Sequence, residues 1–202
     1  MTDAAPRQPD EIPLFPLGTV LFPDSALQLK LFEARYLDMA ARCLRGDTPF
    51  GVCLIRDGGE VGAPAVPHET GTLARIVDWD MTQPGLLFIT ARGGARFRIA
   101  TRTVQSDGLQ TARVEWLAEP APQPVPPALA GLLPLLRAIV ADAGEAVFPL
   151  PHRFDDATWV GYRLAEVLPI PPEARLRLLA LDDTVSRLEI LHTYLRQHKL
   201  LD

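Results

Sequence analysis

Residues 11–36 read EIPLFPLGTVLFPDSALQLKLFEARY, and inside this run the hydrophobic period changes from that of a strand to that of a helix. Leu27, Leu29 and Leu31 alternate with Ala26, Gln28 and Lys30, so an extended chain here has one apolar and one wettable side. Pro13, Pro16 and Pro23 fix φ and lack an N–H, which confines them to strand ends, edges or turns and makes Leu17-Gly18 and Pro23-Asp24 corners. From Tyr36 onward the spacing is helical: Tyr36, Leu37, Ala40, Ala41 and Leu44 recur on one side. Glu33 suits the positive end of that helix, and Arg42 and Arg45 precede Gly46 at the other end. The stretch predicts a half-buried strand running directly into a helix.

Working outward, residues 1–10 are polar and without period and read as a mobile tail. Phe50 to Arg56 is an apolar run closed by Asp57-Gly58-Gly59, a buried strand entering a turn. Val61 to Thr70, with Gly62, Pro64 and Pro67, reads as a loop. Thr72 to Trp79 and Leu86 to Ala91 are β-rich and separated by Pro84-Gly85. After Gly93-Gly94, a strand places Ala95, Phe97 and Ile99 on one face. Past Ser106-Asp107-Gly108, another alternates Ala112, Val114 and Trp116 with Arg113 and Glu115.

The composition then turns Pro-rich over residues 119–127, an extended spacer, and beyond it the period is helical. Helices are expected from Leu129 to Ala141, from an Asp155-Asp156 cap to Leu168, from Pro171-Pro172-Glu173 to Leu181, and after Asp182-Asp183 with Val185, Leu188, Leu191 and Leu195 in one stripe. Strands first and helices afterwards, without βαβ alternation, predict an α+β fold: a β part over residues 11–118 and a helical subdomain over 128–202, packed together through Leu132, Leu136, Leu164 and Leu188.

The 202 residues, 48% of them hydrophobic, suffice for one core with a helical annex. No apolar run reaches membrane-spanning length and the first residues lack the basic and apolar regions of a signal peptide, so a cytoplasmic protein without membrane contact is expected. The net charge of -5 has the wrong sign for a protein held by nucleic-acid phosphates. Cys43 and Cys53 lie among apolar neighbours without metal-ligand spacing and read as buried free thiols.

Gly58-Gly59 and Gly93-Gly94 neither open a helix after a strand nor precede the Lys-Ser/Thr of a phosphate loop. Ser25, Ser106 and Ser186 lie outside any G-x-S-x-G elbow and no lysine is placed beside them. His192 and His198 are six apart on a helix and so on different faces, which defeats chelation. The adjacent carboxylates at 155–156 and 182–183 are explained by helix capping. The residues therefore predict no catalytic group, no cofactor and no metal.

Pro13-Leu14-Phe15-Pro16-Leu17, Leu21-Phe22-Pro23 and Leu29-Lys30-Leu31-Phe32-Glu33-Ala34-Arg35-Tyr36, in this order and spacing, resemble the opening signature of the N-terminal, substrate-binding domain of Lon proteases. Phe50-Gly51-Val52, Gly71 to Ile76, Arg96-Phe97 and the LPIPPE run from Leu168 to Glu173 continue the resemblance over nearly the whole chain after residue 11. Asp24 stands where that family more often carries Gly, and the Pro-rich middle and the stretch from His152 to Val160 match poorly. The resemblance implies a PUA-like β-barrel of about six strands with a short helix, then a C-terminal α-helical bundle. It also implies a non-catalytic module that binds unfolded or extended polypeptide, serving as an adaptor in protein quality control with a protease or chaperone as further partner, and lacking the ATPase and Ser-Lys protease modules.

Within that frame Phe32, Arg35, Tyr36, Arg96 and Phe97 are the candidate partner-binding residues, because large apolar and cationic side chains crowd the signature. Two alternatives stand beside contact with a partner. Glu33 and Arg35 also fit a helix-start charge and an arginine tying the barrel mouth together. Arg75, Arg96 and Arg98 also fit the solvated face of an antiparallel sheet. Rival functions are RNA binding, as PUA-like barrels perform elsewhere, and a small-molecule or hydrolytic site in the barrel cleft.

Overall fold

The computed structural model describes residues 9–201. The change of period is realised as strands followed by helices: β1 (Glu11–Leu17), β2 (Ala26–Leu31), α1 (Ala34–Gly46), β3 (Phe50–Asp57), β4 (Val66–Gln83), β5 (Leu86–Val104) and β6 (Gln110–Trp116), then a 3-10 turn (Pro127–Leu129), α2 (Leu132–Ala143), α3 (Ala157–Val167), α4 (Pro172–Ala180) and α5 (Thr184–Gln197). The strands form one sheet in the order β2-β5-β4-β3-β1-β6, with β5 also bonded to β6. Bonding thus returns on itself through β5, β4, β3, β1 and β6, and β2 stands outside this ring on the free half of β5. Only the β1–β3 pair is parallel.

β5 serves two neighbours along one edge: Leu87–Arg92 face β2, and Phe97–Val104 face β6. The exchange happens at Gly93-Gly94, where the sequence points to a break and the strand instead continues through an irregularity in its pairing with β4 opposite Leu73. The turn from Phe22 to Ser25 crosses β5 here. Gly93 donates its N–H to the Ser25 carbonyl at 2.9 Å and accepts from the Asp24 N–H at 2.9 Å. A Cβ on Gly93 would lie 2.1 Å from the Phe22 carbonyl oxygen, so only glycine permits the approach. Asp24 makes the turn at φ 64°, a left-handed conformation that aspartate tolerates better than most residues and glycine adopts freely.

The expected loop over 61–70 is shorter than its prolines suggest, because β4 begins at Val66. Pro67 is accommodated opposite Ile55 at an irregularity in the β3–β4 pairing, where a missing N–H costs no ladder bond. The tail expected for residues 1–10 lies outside the described residues except for Pro9 and Asp10; the Asp10 carbonyl accepts the Val114 N–H at 3.3 Å. The Pro-rich stretch is attached at two points: the Gln123 carbonyl accepts the Ala157 N–H at 2.8 Å, and Glu119 reaches Arg96.

Burial is divided by the crossing turn. Phe15, Leu31, Tyr36, Met39, Phe50, Leu87 and Ile89 fill the space between the sheet and α1. Val20, Phe22 and Leu54 instead join Leu132, Leu136, Leu164 and Leu188, which packs the helices against the sheet. Asp156 caps α3 through the Thr158 N–H at 2.9 Å. Asp183 caps α5 and its carboxyl is held below the usual range by the Ser186 hydroxyl.

Gly93→Ala is expected to lower stability by about 3 kcal/mol or to prevent folding, since the atom it would displace is backbone. Gly94→Ala, whose Cβ would meet nothing closer than 3.7 Å, should cost less than about 1 kcal/mol by urea unfolding. Equal costs at the two positions would contradict the crossing geometry.

Candidate functional site

β2 is an open margin of the sheet. One of its edges is bonded to β5 and no strand pairs with the other, so alternate N–H and C=O groups from Ala26 to Leu31 lack a strand partner among the described residues. Alongside this edge runs a groove of about 260 Å³ lined by Phe15, Leu17, Leu29, Leu31, Tyr36 and Val61, with Phe32, Glu33 and Glu60 at its rim. It opens because β6 follows β1 only from Glu11 to Leu14, leaving Phe15 to Leu17 without a neighbour on that side. Phe15 and Tyr36 stack at its base, ring centroids 4.1 Å apart.

Arg35 does not line the groove but braces the segments that do. Its guanidinium donates to Glu33 at 2.9 Å, to the Gly62 carbonyl at 2.8 Å and to the Gly108 carbonyl at 3.4 Å, and it lies 4.7 Å from the Tyr36 ring centroid. These bonds tie the 58–62 loop and the 106–108 turn to the start of α1. Glu60, on that loop, accepts the Gly18 N–H at 2.6 Å. Burial pushes the Tyr36 phenol up, against the opposing pull of Arg35, so the ring stays neutral.

Of the five candidate contact residues, only Phe32 is exposed, at 52%. Tyr36 is buried in the groove floor, and Arg35 is buried behind it. The expectation that Arg96 and Phe97 lie at a binding surface is corrected, because both are fully buried. Phe97 fills a small core with Ile12, Leu14, Cys53 and Ala112, and meets Trp116 edge-on at 6.2 Å. Arg96 points to the other face, where α4 and α5 cover the sheet. It donates to Glu119 at 3.2 Å, to the Leu179 carbonyl at 2.8 Å, to the Ala118 carbonyl at 2.7 Å and to Asp182 at 3.3 Å. No basic strip of Arg75, Arg96 and Arg98 therefore forms; Arg75 is exposed and paired with Asp47 at 2.6 Å.

The residues missed are on the far half of the β4–β5 pair, which projects past the core. Val77, Trp79 and Met81 are 57%, 55% and 49% exposed. Their alternation with Asp78 and Asp80 was the available signal, read only as far as Trp79. On the opposite face Lys30, Phe88 and Asp80 stand in one cross-strand row, with Lys30 Nζ 5.9 Å from the Phe88 centroid. They line a shallow hollow of about 400 Å³ with Gln28, Thr90 and Asp78. Exposed apolar side chains thus stand on the β4–β5 extension, two strands in from the free edge of β2 at Val77, Trp79 and Met81 and one strand in at Phe88.

Ser25 is buried and accepts from Arg163 at 2.6 Å. Cys43 and Cys53 are buried free thiols, and burial raises both above their ordinary range. Among the described residues no group of three or more His, Cys, Asp or Glu side chains is placed to hold a metal ion, and no helix is long and apolar enough to cross a membrane.

Residues 11–197 match the family model of the ATP-dependent protease La (LON) substrate-binding domain. No curated protein matches the chain. Among solved structures it is similar to the crystal structure of a Lon N-terminal domain protein from Xanthomonas campestris, at 38% identity, covering 91% of this chain and 98% of that one with a TM-score of 0.76. It is also similar to the N-terminal domain of a Mycobacterium avium complex Lon protease, with 93% and 99% coverage and a TM-score of 0.64; at 15% identity this is a likeness of fold.

Phe97→Ala should cost about 3 to 5 kcal/mol of unfolding free energy, whereas Phe32→Ala should stay within about 0.5 kcal/mol of the parent. Paired urea titrations check this, and comparable losses at the two positions would contradict the assigned burial.

Proposed function

The chain belongs to the LON substrate-binding domain family, and from that premise we propose that it is a non-catalytic module that takes up extended or unfolded polypeptide as an added strand on β2. One observation carries the reading: the unpaired edge of β2 lies beside an apolar groove, with the exposed rings of Phe32 and Phe88 close by. Backbone hydrogen bonds to such an edge give affinity without demanding one sequence, and the groove and rings select large apolar side chains. Phe32, Trp79 and Phe88 supply the exposed contacts; Arg35 and Tyr36 hold the groove in shape; Arg96 and Phe97 keep the sheet rigid behind it. We read the ring of strands as a PUA-like barrel over residues 11–118 and the helices of 128–202 as a subdomain docked on it. The role that fits this arrangement is a cytoplasmic adaptor presenting segments to a protease or chaperone. The carboxylates of Glu60, Asp78 and Asp80 near the groove, with the acidic net charge, favour polypeptide over RNA.

Fluorescence anisotropy with an aromatic-rich peptide and with a reduced, carboxymethylated model protein tests the proposal. Both should bind. Methylation of alternate backbone nitrogens in the peptide should weaken binding by roughly tenfold or more, and Trp79→Ala or Phe88→Ala should do so while the melting temperature holds. Full affinity in the methylated peptides of both registers would exclude strand addition, and absence of binding by the parent would exclude the function.

A further inference from the structure

A second apolar groove lies away from the β2 edge, between α4 and α5. Ile170, Ala174, Leu178, Leu181, Ile190, Leu191 and Tyr194 line about 340 Å³, and Arg177 is the one charged side chain among them. None of these residues borders the β2 groove or the hollow beside it. Ile190 is 51% exposed, an aliphatic side chain that α5 presents outward beside Leu191, which is buried. The Tyr194 hydroxyl is already engaged, donating to the Pro169 carbonyl at 2.9 Å. Arg177 is exposed and forms no ion pair among the described residues, although Glu173 lies one turn before it on the same helix.

A groove walled by two helices is one that a third helix can fill, with side-chain ridges entering between them. The volume admits two or three large apolar side chains, the number a helix offers at positions i, i+4 and i+7. The lone cation at the rim selects a carboxylate next to those anchors, and a lysine there would be repelled. We propose that the α4–α5 groove is a docking site for an amphipathic helix of a partner protein, carrying aliphatic anchors flanked by Glu or Asp that pair with Arg177. The site goes beyond polypeptide capture at β2. With both occupied, the chain bridges a captured segment and a folded partner.

The probes are a synthetic amphipathic helix with leucines at i, i+4 and i+7 and a glutamate beside them, and the same peptide with lysine in place of the glutamate, each titrated by anisotropy against the intact protein. The parent should bind the glutamate peptide about tenfold more tightly than the lysine peptide. Arg177→Glu should reverse that order, and Ile190→Ser should weaken both peptides. Both side chains are exposed, so melting temperatures should not change, and binding of the carboxymethylated protein at β2 should persist in both variants. Equal affinity of Arg177→Glu for the two peptides, or failure of the parent to bind the glutamate peptide, overturns the proposal. Binding of laurate without binding of the peptide also overturns it, in favour of a small amphiphile. Loss of carboxymethylated-protein binding by the parent, with the peptide result intact, would instead count against the β2 reading alone.

Discussion

The backbone contact between Gly93 and the Phe22–Ser25 turn is the constraint on which the architecture depends. Because the turn crosses β5 at a distance only glycine allows, β5 has β2 on one side of the crossing and β6 on the other. One ring of strands closes, and β2 is left with a free edge. The same crossing sends Leu21 into the core beneath α1 and Phe22 into the core of the helices, so it joins the two packing regions as well as separating them. The helices hold the turn in place from their side. Arg163 of α3 donates to the Pro23 carbonyl at 2.7 Å and to Ser25, and Arg153 pairs with Asp24. The open edge is therefore the exit of a turn fixed at both ends.

Arginine does the joining throughout. Arg96, Arg163 and Arg187 are almost wholly buried, and their guanidiniums mainly meet carbonyl groups that helix ends and turns leave without partners. Arg187 donates to the Leu178 carbonyl at 2.9 Å, one residue from the Leu179 carbonyl that takes Arg96, so the end of α4 is secured from both the sheet and α5. Burial pulls the Arg187 and Arg163 guanidiniums below their ordinary value; the carboxylate of Glu166 opposes this at Arg163, and two carbonyls accept from Arg187, while Arg163 Nε and Arg187 Nη1 have no hydrogen-bond partner among the described residues.

Much of this was legible from local pattern. The strand-to-helix change at residues 26–46, the caps at Asp156 and Asp183, the turn at 106–108 and the order of strands before helices follow from period, turn chemistry and capping preference. Layering was not legible. Alternation around Arg96 and Phe97 announces one dry and one wet face, yet α4 and α5 cover the second face, and a sequence does not distinguish water from a helix as the neighbour of an arginine. The exposure of Trp79 was not legible for the opposite reason. Val77, Trp79 and Met81 carry the alternation of an ordinary buried face, but β4 runs beyond the core and leaves that face in solvent. Gly93-Gly94 reads as a break because glycine in a strand marks either a bend or a close backbone approach, and only the partner that crosses there decides between them.

Amide hydrogen exchange across β2, with and without a bound unfolded polypeptide, tests most directly that the free edge is the functional seam. The account predicts that alternate amides from Ala26 to Leu31 exchange fast in the free protein and become protected on binding, while those already bonded to β5 stay slow in both states. Protection confined to other surfaces, with the β2 amides unchanged, would contradict it.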